Sequence, residues 1–341
     1  MSRWILKVHA PGKLILSGEH AVVYGKPALA MAVNRYATAF VSPQLLPLVS
    51  FDLSDLSYEH GLTFTALNCL KGRIKQNYQR FISGDFKIRD VLQKPVELAQ
   101  FAFSLFLETL NLKLTQGIKI RVQSDIPIGC GMGSSAATVL SIVHAIAHHL
   151  QIELSEETFF RLSLEAENMQ HGYSSGLDLQ VSMHGGCVLV KNGQTFQRCV
   201  PTFPMYLINT GTPKTTTGEC VAHAASYFKQ STIGDDFAAV TEAMDTALQA
   251  NDYAEIKRVL SLNHELLVKI DVVPLKVQQF ISEIKKFSGA AKICGAGAVF
   301  GEKGGIVLVL TENYDALMKL CAEYHYPILP IIGETRGVHI V

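Results

Sequence analysis

The chain has 341 residues, more than one hydrophobic core comfortably holds, so two domains are expected. Hydrophobic residues make up 48% and charged residues 18%, the balance of a globular protein with a sizeable core. Thirty Lys and Arg offset thirty Asp and Glu, which argues against a nucleic-acid footprint, and no stretch approaches the ~20 apolar residues of a membrane span.

In chain order, Trp4 to His9, Leu14 to Ser17, Ala28 to Val41 and Val49 to Leu53 alternate or run apolar like strands. "APGK" at 10–13 places Pro then Gly at the centre of a turn, which predicts a hairpin between the first two. A helix is expected from Asp90 to Leu110, with Pro95 near its first turns. Ile118 to Val122 alternates as a strand, a glycine-rich loop follows, and a helix is expected over 135–150. Ser155 is the expected N-cap of the next helix, which stops near Gly172. Asn192-Gly193 between two strand-like runs is the strongest hairpin signal in the chain. Met205 to Asn209 reads as a strand, followed by helices near 218–229, 235–250, 252–269 and 274–287. A strand at 306–310, a helix near 313–324 and two strand-like runs close the sequence. Pro201 and Pro204 punctuate the change of character, which divides the chain into 1–203 and 204–341. The class is α+β in two halves. The opening "MSRWILKVHAPGK" is too short in its apolar part for a signal peptide. Seven scattered cysteines without a CxxC pair argue against disulfides or zinc, so the cytoplasm is the expected compartment.

The loop "IPIGCGMGSSAAT" (126–138) raises the question of function. Strand, glycine loop and helix start, in that order, build an anion site from backbone N–H groups at the positive end of a helix. The loop therefore points to a phosphate-bearing ligand. A Walker A loop needs a Lys after its glycines, and none is here. A dinucleotide fingerprint needs G-x-G-x-x-G and a later acidic residue, whereas Gly129, Gly131 and Gly133 give G-x-G-x-G. The bland alternative is a tight loop in which Ser134 or Ser135 only caps the helix.

Three further segments carry a resemblance. "HAPGKLILSGEHAVVYG" (9–25), "IPIGCGMGSSAA" (126–137), "EAENMQHGYSSGLD" (165–178) and "KICGAG" (292–297) resemble, in order, the motifs of the GHMP kinases. Their "PGK", "GEH" and "AVVYG" are similar to the mevalonate kinase form of that family. The resemblance implies an N-terminal mixed-sheet domain and a C-terminal α+β domain, with ATP and substrate in the cleft between them. It implies transfer of the γ-phosphoryl of ATP to the 5-hydroxyl of mevalonate with Mg²⁺, an early step of isoprenoid synthesis. A kinase of the same fold for a related alcohol such as phosphomevalonate, and a non-catalytic ATP or ligand binder, are the alternatives. Monomer and homodimer are both open.

Carried residue by residue, the resemblance makes Asp178 and Lys13 catalytic. Gly129, Cys130, Gly131, Met132, Gly133, Ser134 and Ser135 form the phosphate loop. Ser135 and Glu167 are the Mg²⁺ ligands, and Glu19, His20 and Thr216 face the substrate. Each has a plainer reading. Lys13 could be an exposed turn lysine. Ser175-Gly-Leu-Asp178 could be a capping box at a helix start. Glu167 opposes the macrodipole in the last turn of its helix, a conflict that a metal would remove. Glu19 and His20 could lie at a strand end. Cys130 lies near a helix N-terminus, where a thiolate is favoured, so a reactive thiol protected by ATP is expected. "GAGAVFGEKGG" departs from the family's third motif, because Ala298, Val299 and Phe300 interrupt its glycines.

Overall fold

The computed structural model describes residues 6–54, 57–127, 129–230 and 232–341. Trp4, part of the first expected strand, and Ile128 of the glycine loop lie outside them. The architecture is α+β with two sheets, the class expected from the sequence.

The first strand, β1, runs unbroken over Leu6–Ser17 and pairs antiparallel with the long β2, Ala28–Gln44. The expected hairpin at 10–13 is therefore absent. Pro11 and Gly12 sit inside β1 where the register to β2 shifts, so they form an irregularity in a strand and not a turn. Proline has no N–H for the ladder and glycine tolerates close backbone approach, which suits such a break. A Cβ at Gly12 would lie 3.1 Å from the Met132 carbonyl.

β3 (Val49–Leu53), β4 (Tyr58–Leu62) and β5 (Gly117–Ser124) extend this sheet, with β3 and β5 parallel. The hairpin β6 (Cys187–Lys191) and β7 (Gln194–Arg198) joins it through β2. Its turn is Asn192-Gly193, both with positive φ, as the sequence predicts. The last strand, β12 (His339–Ile340), returns to pair with β1.

Helix α1, Phe64–Ile82, is polar on average and buries only Leu67, Ile74 and Asn77, so the sequence did not announce it. Its Thr63 hydroxyl caps the Ala66 N–H at 3.1 Å. The expected helix over 90–110 is shorter. A single 3-10 turn covers Ile88–Asp90 and α2 begins only at Glu97, ending at Thr109. Pro95 disfavours helical backbone at Lys94 and delays the start. α3 (Ser134–His149), α4 (Glu156–His171) and the short α5 (Leu177–His184) follow, with Ser155 capping α4 through Thr158 N–H at 3.2 Å.

The second sheet has the order β11-β8-β10-β9, all antiparallel. Its strands are β8 (Met205–Asn209), β9 (Ala290–Cys294), β10 (Ile306–Leu310) and β11 (Ile328–Ile331). Helices α6 (Thr217–Gln230), α7 (Ile233–Gln249), α8 (Tyr253–Lys269), α9 (Leu275–Lys285) and α10 (Tyr314–Tyr324) complete this half: α8 and α9 pack on β9, and α7 packs on α8 and reaches β1 and β2 of the first sheet. Both faces of β10 are buried, which is why its sequence is apolar without alternation. Among the described residues no helix is long and apolar enough to cross a membrane.

Candidate active site

β1, the glycine loop, α3, α4 and α5 meet at one point. The Lys13 N–H bonds the Met132 carbonyl at 2.9 Å, which ties β1 to the loop. The Lys13 side chain is buried and its ammonium lies 3.0 Å from Asp178 Oδ1, while Asp178 keeps 33% of its side chain exposed. Lys13 is thus no exposed turn lysine.

Asp178 stands in the first turn of α5, but the N-cap is Gly176 and no side chain caps the helix. The capping box expected of Ser175 and Asp178 does not form. Ser175 Oγ accepts instead from Leu177 N–H at 3.4 Å. The Asp178 carboxylate is left to Lys13.

Gly129, Gly131 and Gly133 all have positive φ, which favours glycine at each position. Their surroundings differ. A Cβ at Gly133 would fall 2.9 Å from Lys13 Cγ and 3.5 Å from Asp178 Oδ2, so this glycine makes room for the charged pair. One at Gly131 would fall 2.8 Å from the Cys294 carbonyl and 2.9 Å from Gly295 Cα. Gly131 and Gly295 therefore pack back to back, joining the glycine loop to the third motif. Gly129 is the least crowded of the three, its Cβ position in ordinary contact with Thr212 Cγ2 at 3.6 Å. Ser134 and Ser135 open α3 ahead of its first i to i−4 bond, from Ala137 N–H to Gly133 at 3.0 Å. The leading N–H groups of a helix have no partner inside it and attract an anion.

Ser135 Oγ donates to Glu167 Oε2 at 3.2 Å and lies 3.0 Å from His171 Nε2. His171 is one turn beyond Glu167 on α4, which puts both on one face. The sequence places His171 in the His-Gly of the resembling segment 165–178 but gives it no role, although its four-residue spacing from Glu167 was the available signal. Glu167 is 1% exposed and its Oε1 is buried with no partner. Burial, and then the neighbouring Asp178 charge, push its carboxyl up to about 8. A buried carboxylate with an unused oxygen beside a hydroxyl suits a hard divalent ion that draws its other ligands from phosphates and water. Among the described residues no cluster of three or more His, Cys, Asp and Glu is arranged to hold a metal.

Cys130 is buried, and burial pushes its thiol up. The expected thiolate is not favoured here, because desolvation outweighs the helix terminus. Met132 is buried beside it.

The most direct evidence for ancestry is the overall match. Residues 97–186 match the model of the GHMP kinases N terminal domain. The mevalonate kinase of Pyrococcus furiosus is 31% identical, with 89% of this chain and 88% of that protein covered. The chain belongs to the mevalonate kinase family of GHMP kinases. The Methanocaldococcus jannaschii mevalonate kinase is 28% identical over 90% of this chain and 92% of its own. The crystal structure of the Methanococcus jannaschii mevalonate kinase superposes with a TM-score of 0.82 at 24% identity, covering 98% and 99% of the two chains, and so shares the fold.

The remaining family positions fall into two groups. Glu19 is 1% exposed and ion-paired with the fully buried Lys292. His20 Nε2 lies 3.0 Å from the Ala296 carbonyl, and burial drives the imidazole down to about 4. Both follow β1 and contact the β9 end of the second sheet. Thr216 stands apart. It is exposed and forms a capping arrangement for α6, its Oγ1 donating to Glu219 Oε2 at 2.9 Å and accepting from Glu219 N–H at 3.3 Å. Its neighbour Thr215 is buried and accepts from Val299 N–H at 3.2 Å. In the divergent third motif Ala298 N–H bonds the Val272 carbonyl at 2.9 Å, and Phe300 is exposed. The N–H groups of Ala298 and Val299 are therefore committed within the protein.

Proposed function

We propose that this chain transfers the γ-phosphoryl group of ATP to the 5-hydroxyl of mevalonate. The observation that carries the reading is the Lys13–Asp178 pair at 3.0 Å, set against Gly133 at the start of α3. The relatives named mevalonate kinase support the choice of alcohol. In this reading the glycine loop and the first N–H groups of α3 hold the nucleotide phosphates. Lys13 offsets charge that develops on the transferring group and on the attacking oxygen. Asp178, still partly open to the cleft, orients the alcohol and receives its proton.

Ser135 Oγ and Glu167 are the groups that would hold Mg²⁺, and the unpartnered Glu167 oxygen fits that role. When bound, the ion supplies charge neutralisation on the phosphates. Glu19 and His20 line the alcohol side. Thr216 is placed there by its position after Pro213 alone. The cleft is formed by residues 1–203 on one side and 204–341 on the other.

The test is ADP release with ATP, Mg²⁺ and a panel of mevalonate, phosphomevalonate, galactose and homoserine. Turnover on mevalonate alone is expected. Turnover on a different alcohol would move the substrate assignment. ATP binding without turnover on any would favour a ligand-binding role.

A further inference from the structure

Lys292 sits in the middle of β9 with no exposed surface, a rare place for a lysine. Its ammonium has three donors, and all three are used. They go to the carbonyls of Ile15 at 3.0 Å and Leu16 at 3.3 Å, and to the Glu19 carboxylate. Consecutive carbonyls of a regular strand point in opposite directions. The register of β1 shifts between Ile15 and Ser17, and that irregularity lets both carbonyls reach one ammonium. All three acceptors lie on the segment just after Lys13. A buried ion pair is a costly way to tie two elements together, since apolar side chains of similar volume do as well or better.

The same segment is tied a second time, through His20 Nε2 and the Ala296 carbonyl four residues after Lys292. The Glu19 carboxylate, fixed through Oε1, keeps Oε2 buried and without a partner. A buried acceptor with no donor marks a position that a ligand hydroxyl would complete.

We propose that Lys292 is a positioning residue for the alcohol substrate: it clamps Glu19 and the Ile15–Leu16 bend against β9 so that the second Glu19 oxygen meets a substrate hydroxyl. The proposal rests on the reading of the site as an alcohol kinase. Nucleotide binding is held elsewhere, by the Lys13 N–H to Met132 and by α3.

The experiment measures kcat, KM for mevalonate and KM for ATP in the parent, Lys292→Met, Glu19→Gln and the double variant, with thermal melts of each. If Lys292 acts through Glu19, each single change raises the mevalonate KM about tenfold. The double variant is then no worse than about twofold beyond Glu19→Gln, and the ATP KM stays within about threefold. Multiplied effects in the double variant, an unchanged mevalonate KM in a folded Lys292→Met, or an ATP KM that rises in step with that of mevalonate would each overturn the proposal. Should Lys292→Met fail to fold with Glu19 left unpaired, the comparison of the double variant with Glu19→Gln decides alone. A parent protein inactive on mevalonate defeats the functional reading before any variant is compared, so the two failures are distinct.

Discussion

Two lysine–carboxylate pairs tie β1 and the residues just after it to other elements, and they are built for opposite ends. Lys13 and Asp178 meet at 3.0 Å with a third of the aspartate side chain open to solvent. Lys292 and Glu19 meet in a space that is 0% and 1% exposed, with backbone carbonyls taking the other two ammonium donors. A pair that keeps one face open can exchange its partner for a substrate atom at little desolvation cost. A sealed pair whose ammonium donors are all taken cannot, because releasing either charge leaves the other buried alone; what stays unused is the second Glu19 oxygen. The first arrangement suits chemistry and the second suits placement.

The comparison breaks most sharply at the open pair. Asp178→Asn should lower kcat by about 10²- to 10⁴-fold while ATP affinity stays near that of the parent, as steady-state kinetics with nucleotide titration will show. Lys13→Met should lower kcat about 10²- to 10³-fold. On the sealed side, His264 is buried near Lys292 and burial drives its imidazole from 6.5 down to about 4. Its neutral form contributes stability that is complete above pH 6.5 and is lost as pH falls toward about 4. His264→Gln should therefore lose less stability than the parent between about pH 7 and about pH 4.5, by about 2 kcal/mol in urea midpoints.

The glycine loop sharpens the contrast between packed and open positions. Gly131→Ala drives a Cβ into the Cys294 carbonyl at 2.8 Å, whereas Gly129→Ala meets nothing nearer than 3.6 Å. Both have positive φ, so both cost about 1 kcal/mol, and Gly131→Ala should cost about 2 kcal/mol more by thermal melts. The smallest effect is expected at the two residues proposed to hold Mg²⁺. Ser135→Ala and Glu167→Gln should raise the Mg²⁺ concentration for half-maximal activity by about tenfold, and an unchanged requirement would remove them from that role.

The elements that were legible in the sequence are those whose cause is local. Asn192-Gly193 dictates its own turn, Ser155 its own cap, and the alternating glycines their loop and the helix after it. What was illegible depends on partners far along the chain. Pro11-Gly12 reads as a turn because the β2 partner and the Met132 carbonyl that bend it into a strand irregularity lie elsewhere. Gly131 reads as room for phosphate, yet its missing side chain makes room for Gly295, and Gly133 for the charged pair. Asp178 reads as half of a capping box because Lys13 is 165 residues away in sequence. Lys292, in an otherwise apolar strand, gives no local hint of its acceptors at the end of β1. The position of Cys130 suggests a reactive thiol, and burial, which sequence does not display, reverses it.

The most direct test is a single-turnover measurement of phosphoryl transfer from ATP to mevalonate, with both bound at saturation, comparing the parent with Asp178→Asn. The account predicts phosphorylated mevalonate from the parent and a transfer rate at least about 100-fold lower in the variant. Equal transfer rates, with the variant fully folded, would contradict it.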